Sequence, residues 1–83
     1  MNETQIYDKV VGLIKPYAKN EMGLKGVNKE SKILEDLGVN SARLVDIVLA
    51  FEDEFNIEVE DEAADNIWTI GDAVKLISNK IVQ

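Results

Sequence analysis

Helical spacing dominates the apolar positions of this 83-residue chain, and strand-like alternation is weak throughout. Ile6, Val10, Leu13, Ile14 and Tyr17 fall on one stripe at about 100° per residue, which predicts a first amphipathic helix. Pro16 lacks a backbone donor and crowds the preceding turn, so that helix is expected to end or kink there. A long connection follows over about residues 20–40, punctuated by Gly23, Gly26 and Gly38. Ile33, Leu34 and Leu37 are its main large apolar side chains and are expected to pin it to the core.

A second helix is expected from Ser41 to Phe55, with Asn40 as a good N-cap. Leu44, Val48, Phe51 and Phe55 form a narrow apolar stripe with Ile47 beside it, and that stripe is expected to be core. On the other side lie Ala42, Val45 and Leu49, fringed by Asp46, Glu52 and Asp53. An apolar spot ringed by carboxylates is either scattered surface hydrophobes, which are normal, or a partner contact; the second reading is preferred. A short third helix is expected over Asp61 to Asn66. The last opens at Thr69, where Thr69 and Asp72 have the spacing of a capping box, and carries Ile70, Val74, Ile77 and Ile81 on one stripe.

None of these helices can bury its apolar face alone. The expected fold is therefore all-α, a small four-helix bundle of three longer helices and one short third helix. A long loop between helices 1 and 2 allows a connection that crosses the bundle. One domain is expected over residues 1–83, because a chain of this length has no room for a second core.

Charge sharpens the picture. Nine basic against sixteen acidic side chains, with no histidine, give a net charge of −7. Residues 1–32 carry six lysines and four acids, a local +2; residues 33–83 carry twelve acids against Arg43, Lys75 and Lys80, a local −9. From Glu52 through Asp65 there are eight acids and no base. Such a surface repels nucleic acid, whose binding depends on lysine and arginine. It is either a solubilising coat or a means of steering basic partner proteins. No calcium-loop spacing is present.

Cysteine is absent, which excludes disulfides, thiolate chemistry and cysteine-held zinc. Without histidine or cysteine the common nucleophile–base pairs cannot be assembled, which argues against an autonomous enzyme. No apolar run approaches the roughly 20 residues that cross a bilayer, and the start lacks a secretory pattern. The expectation is a cytoplasmic monomer.

The segment LEDLGVNSARLVDIVLAFEDEF, Leu34 to Phe55, closely resembles the acyl carrier proteins. The similarity continues without a gap through IEVEDEAADNIWTIGDAVKLI, Ile57 to Ile77, so about 44 of the 83 residues are covered. Members of that family typically show Asp-Leu-Gly, one variable residue, then Asp-Ser-Leu at the start of the second helix. Here those positions read Asp36, Leu37, Gly38, Val39, Asn40, Ser41 and Ala42. The first helix and long loop fit by position and apolar pattern.

The resemblance implies a non-catalytic carrier. Ser41 would be the attachment point for 4′-phosphopantetheine, joined through a phosphodiester and ending in a thiol that holds an acyl group as a thioester. A separate phosphopantetheinyl transferase, using coenzyme A and magnesium, would add the arm. Acyl-transferring or acyl-modifying enzymes of fatty acid, lipid or polyketide-type biosynthesis would be the partners. Their basic docking surfaces would meet Asp46, Glu52, Asp53 and Glu54, while Ala42, Val45 and Leu49 fill small apolar depressions. Leu44, Val48, Phe51, Ile67, Trp68 and Ile70 would form the acyl pocket or core. Elementary chemistry agrees with Ser41: a phosphoester there would sit among unpaired donors at the positive end of a helix. Taken alone, a serine at that position is an ordinary cap; the flanking sequence decides.

Several residues depart from the family pattern. Asn40 replaces the usual aspartate and Ala42 a leucine, while Arg43 stands where an acid is common. A cation in the first turn opposes the helix dipole mildly; Arg43 would either reach the arm's phosphate or remain solvated. Together these changes imply a specialised carrier with dedicated partners. Phe51 stands where leucine is frequent, so a short or unusual cargo is expected. Trp68 replaces a small or polar residue and is read as a rim residue shielding the core edge. An aminoacyl or peptidyl carrier, and an unmodified acidic helical interaction module, are the alternatives.

Overall fold

The computed structural model describes residues 1–81. Five α-helices are formed among the described residues: α1 (Glu3–Ile14), α2 (Glu21–Lys25), α3 (Leu44–Phe55), α4 (Asp61–Ala64) and α5 (Ile70–Ile81). Single 3₁₀ turns at Lys15–Tyr17 and Ser41–Arg43 follow α1 and precede α3. The three longer helices and the short α4 are those expected from the sequence, and the fold is the expected all-α bundle.

Local chemistry fixes the helix ends. Asn2 and Gln5 form a reciprocal capping box at the start of α1, and Pro16 lies in the 3₁₀ turn that ends it. At the start of α5, the Asp72 amide donates to Thr69 Oγ1 and the Thr69 amide to Asp72 Oδ2, both at 3.1 Å. The left-handed backbone of Asn56 (φ 54°) closes α3.

α1 packs chiefly on α5 and also on α3. Ile6, Val10 and Ile14 meet Ile47, Val48, Phe51 and Phe55 of α3 and Ile70, Ala73, Val74 and Ile77 of α5 in one buried cluster. Leu44 stands only partly buried at its margin, so the buried stripe of α3 centres on Ile47 and Phe51 instead. Ile33 and Leu37 pin the long connection as expected, and Val39 joins them in the core; Leu34 is half-buried.

That connection is more ordered than a loop. It contains α2, capped by Asn20, whose Oδ1 accepts from the Gly23 amide at 3.3 Å. Its second half is strapped to the start of α5: the Ile33 amide donates to the Trp68 carbonyl at 2.9 Å and the Ile70 amide to the Ser31 carbonyl at 3.0 Å.

Two ion pairs tie the acidic segment to other helices. Lys9 of α1 meets Glu54 at 2.9 Å, and Lys80 of α5 meets Glu60 at 2.8 Å. The hydrogen bond and charge of Lys80, helped by a backbone hydrogen bond, hold the Glu60 carboxyl below its ordinary value. Because the folded-state value is the lower one, this contribution is complete above the ordinary Glu range and is lost as pH falls through the depressed value. An NMR titration is expected to show Glu60 protonating at lower pH than an isolated glutamate, and Lys80→Gln to move it back up.

Candidate functional site

The turn that opens α3 is built from Asn40 outward. Asn40 Oδ1 accepts from the Ala42 amide at 2.9 Å, and its carbonyl accepts from the Arg43 amide at 2.8 Å. The Leu44 amide then donates to the Ser41 carbonyl. Asn40 is therefore the expected cap, but of a 3₁₀ turn, and Ser41 is the first residue of that turn rather than of α3. The three amides after Ser41 are engaged, which corrects the expectation of unpaired donors around it. Ser41 itself is exposed.

Beside Ser41 runs an open groove of about 310 Å³ between α3 and α4. Leu44, Val45, Val48 and Leu49 line one wall; Val59 and Ala64 line the other, with Glu52, Asp61 and Asp65 among the lining residues. The sequence reading did not include Val59, Asp61, Ala64 or Asp65 in the site. Its available signal was the recurrence of Val59, Ala63 and Ala64 inside an otherwise acidic stretch.

The residues expected to meet partners divide into free and occupied groups. Val45 and Leu49 are 65% and 55% exposed, high for large apolar side chains. Ala42 and Asp53 are also exposed. Arg43 Nη1 donates to Asp46 Oδ2 at 3.1 Å. Glu52 Oε2 accepts from the Val59 amide at 2.9 Å, so this carboxylate fixes the entry to α4. Glu54 is held by Lys9.

The residues expected to form an acyl pocket or core separate three ways. Leu44 and Val48 border the groove, whereas Phe51, Ile67 and Ile70 lie inside the bundle. Trp68 does neither: it is 64% exposed. Thr69 is bridged to Lys32 and the Trp68 carbonyl accepts from the Ile33 amide; around this strap Ile67 and Ile70 are buried while Trp68 is left outside. Trp68 shields little of the core edge.

Among the described residues no group of three or more acids is arranged to hold a metal ion, and no helix is long and apolar enough to cross a membrane.

An exposed serine in a capped turn, at the mouth of an apolar-walled groove, is a suitable place to anchor a flexible arm. The phosphopantetheine attachment site family matches residues 16–77, which defines the chain as a carrier domain with a covalent 4′-phosphopantetheine cofactor. The chain is 40% identical over 80 residues to the acyl carrier protein of Prochlorococcus marinus, covering 96% of this chain and 98% of that one. It is 48% identical over 54 residues to the acyl carrier protein of Caulobacter vibrioides, covering 65% and 69% respectively. This chain belongs to the acyl carrier protein family. It is a carrier and not an enzyme.

Proposed function

We propose that Ser41 bears the 4′-phosphopantetheine arm and that the α3–α4 face presents the loaded arm to enzymes that build or transfer acyl chains. The observation that carries this reading is the exposed Ser41 in the cap turn, opening directly onto the groove. The cofactor would supply the thiol that the cysteine-free chain lacks, able to hold an acyl group as a thioester. The protein's own residues do the rest. Asn40 holds the turn, Leu44, Val48, Val59 and Ala64 offer an apolar wall, and Val45 and Leu49 stand ready for a partner. Asp53 is the α3 acid to reverse in a docking test, because reversing Glu52 would also remove the bond to Val59.

Modification is tested by intact mass after incubation with a phosphopantetheinyl transferase, coenzyme A and magnesium. One arm's added mass is expected on the native chain and none on Ser41→Ala. An unmodified chain with every transferase tried would favour a helical interaction module instead.

The cargo is short or unusual. Phe51 heads the fully buried side chains by volume and fills the interior beneath the groove wall, leaving the outer groove to the acyl chain. Burying a methylene contributes about 0.8 kcal/mol, so loading should raise the melting temperature with chain length only while the groove covers the added carbons. The gain is expected to level off at short chains. A steady gain through long saturated chains would contradict this reading.

The partners belong to fatty acid, lipid or polyketide-type biosynthesis and carry basic groups opposite the acids of α3 and α4. Asn40, Ala42 and Arg43 around Ser41 argue for partners dedicated to this carrier.

A further inference from the structure

The face around Ser41 is not uniformly acidic. Between Lys32 and Lys75, Arg43 is the one lysine or arginine in the sequence, and it stands two residues after Ser41 in the same 3₁₀ turn. Its side chain is 62% exposed. Asp46, the first acid of α3, is bound to it at 3.1 Å, so the stretch from Asn40 to Asp46 carries one cation and one anion that cancel. The excess negative charge begins only at Glu52, a further turn and a half along α3, and continues through α4 to Asp65. Along α3 and the turn before it the surface therefore has two zones, a self-neutralised one holding a cation beside the serine and an acidic one from Glu52 on, while Asp61 and Asp65 line the groove that Ser41 also borders.

Resting on the reading of Ser41 as the attachment point, we infer that Arg43 is a specificity-determining residue. It selects partner enzymes that present an acidic group facing the turn of Ser41 and Arg43, and basic groups opposite the acids of α3 and α4. Whatever enzyme works on Ser41 must bring its mouth to this turn, and the mouth then faces Arg43. A wholly basic mouth meets a like charge there, which penalises association. An acidic group instead gains a charge-assisted hydrogen bond from the guanidinium, whose donors are not exhausted by the single Nη1 contact to Asp46. The Arg43–Asp46 pair is exposed and close to the helix start, so exchanging Asp46 for a partner carboxylate costs little. Asp53 farther along α3, with Asp61 and Asp65 at the groove, provides the attraction that steers a partner's basic groups.

The test measures transfer of the arm from coenzyme A by a magnesium-dependent phosphopantetheinyl transferase with a basic docking surface. Substrates are the native apo chain, Arg43→Gln, Arg43→Glu and Asp46→Asn, each checked for unchanged melting. Arg43→Glu is expected to raise kcat/KM about tenfold over the native chain, through KM with kcat unchanged, and Arg43→Gln to fall between. Asp46→Asn, which leaves the cation uncancelled, is expected to lower kcat/KM about threefold. All four rates should converge when ionic strength is raised to about 1 M, where the screening length is about 3 Å. A scan replacing the transferase's docking lysines and arginines by glutamate should yield a position that speeds the native chain and slows Arg43→Glu.

Equal KM values for the native chain and Arg43→Glu, or an effect confined to kcat, would overturn the inference. The attachment reading fails separately, when neither the native chain nor any variant accepts the arm; the inference then falls with it.

Discussion

Phe51→Ala is expected to remove about 3–5 kcal/mol of the domain's stability. Phe51 is completely buried in the middle of α3, within the cluster that joins α3 to α1 and α5. Removing a buried phenyl ring typically costs about 3–5 kcal/mol, from lost burial and from the cavity left behind. At about 0.05–0.15 kcal/mol per residue, a domain of this length has only about 4–12 kcal/mol in total. The loss is thus a large share of stability and reaches all of it at the lower bound. Equilibrium urea unfolding followed by circular dichroism checks the outcome, as a lower midpoint with little change in slope. A loss below about 1 kcal/mol would mean that the bundle collapses into the cavity and that the core does not depend on this ring.

The same ring links stability to cargo. Phe51→Leu removes less volume and should leave a folded carrier with new space beneath Val48 and Leu44. If the groove limits cargo because Phe51 fills the interior, loading this variant should stabilise it up to longer chains than the native protein. One substitution then lowers the stability of the unloaded domain and lengthens the acyl chain that still contributes.

The three longer helices were legible because each runs for twelve residues, long enough for a 3.6-residue period to repeat. Their ends were legible where one residue dictates them, as with Pro16 and the Thr69–Asp72 pair. α2 was not, because five residues span little more than one turn and its stability comes from the Asn20 cap and tertiary contact. The 3₁₀ form of the Ser41 turn was hidden for a related reason, since one turn of either helix has nearly the same apolar pattern. Trp68 was misplaced because it lies in the short junction between α4 and α5, where no helical or strand period indicates which side chain is buried. The acidic surface was legible as composition but not as available charge. Glu52 and Glu54 are surface-type acids two residues apart whose partners, Val59 and Lys9, lie in other segments.

Gly23→Ala and Gly12→Ala are expected to act with opposite signs, although both glycines lie within helices. Gly12 sits on the exposed side of α1 with nothing within 4 Å of an added Cβ, so alanine there should stabilise by about 0.5–1 kcal/mol through helix propensity. At Gly23 the added Cβ would lie 1.9 Å from the Asp36 carbonyl oxygen and 2.9 Å from its carbon. Neither side can retreat freely. Asn20 Nδ2 donates to that carbonyl at 2.9 Å, the Asn20 amide donates to the Leu37 carbonyl at 3.1 Å, and the Lys19 amide to the Gly38 carbonyl at 3.2 Å. α2 is thereby clamped to residues 36–38, and those residues run directly into Asn40 and Ser41. The clash should override the better propensity of alanine and destabilise by at least the 1–3 kcal/mol or so typical of overpacking. It should also disturb the Asn40 turn. Thermal melts read the first effect, and the amide chemical shifts of Ala42 and Arg43 read the second. A melting temperature raised in both variants would show that α2 is not seated on the 36–38 segment. The turn carrying Ser41 would then owe its shape to Asn40 alone rather than to the brace at Asn20, 20 residues before Asn40 in sequence.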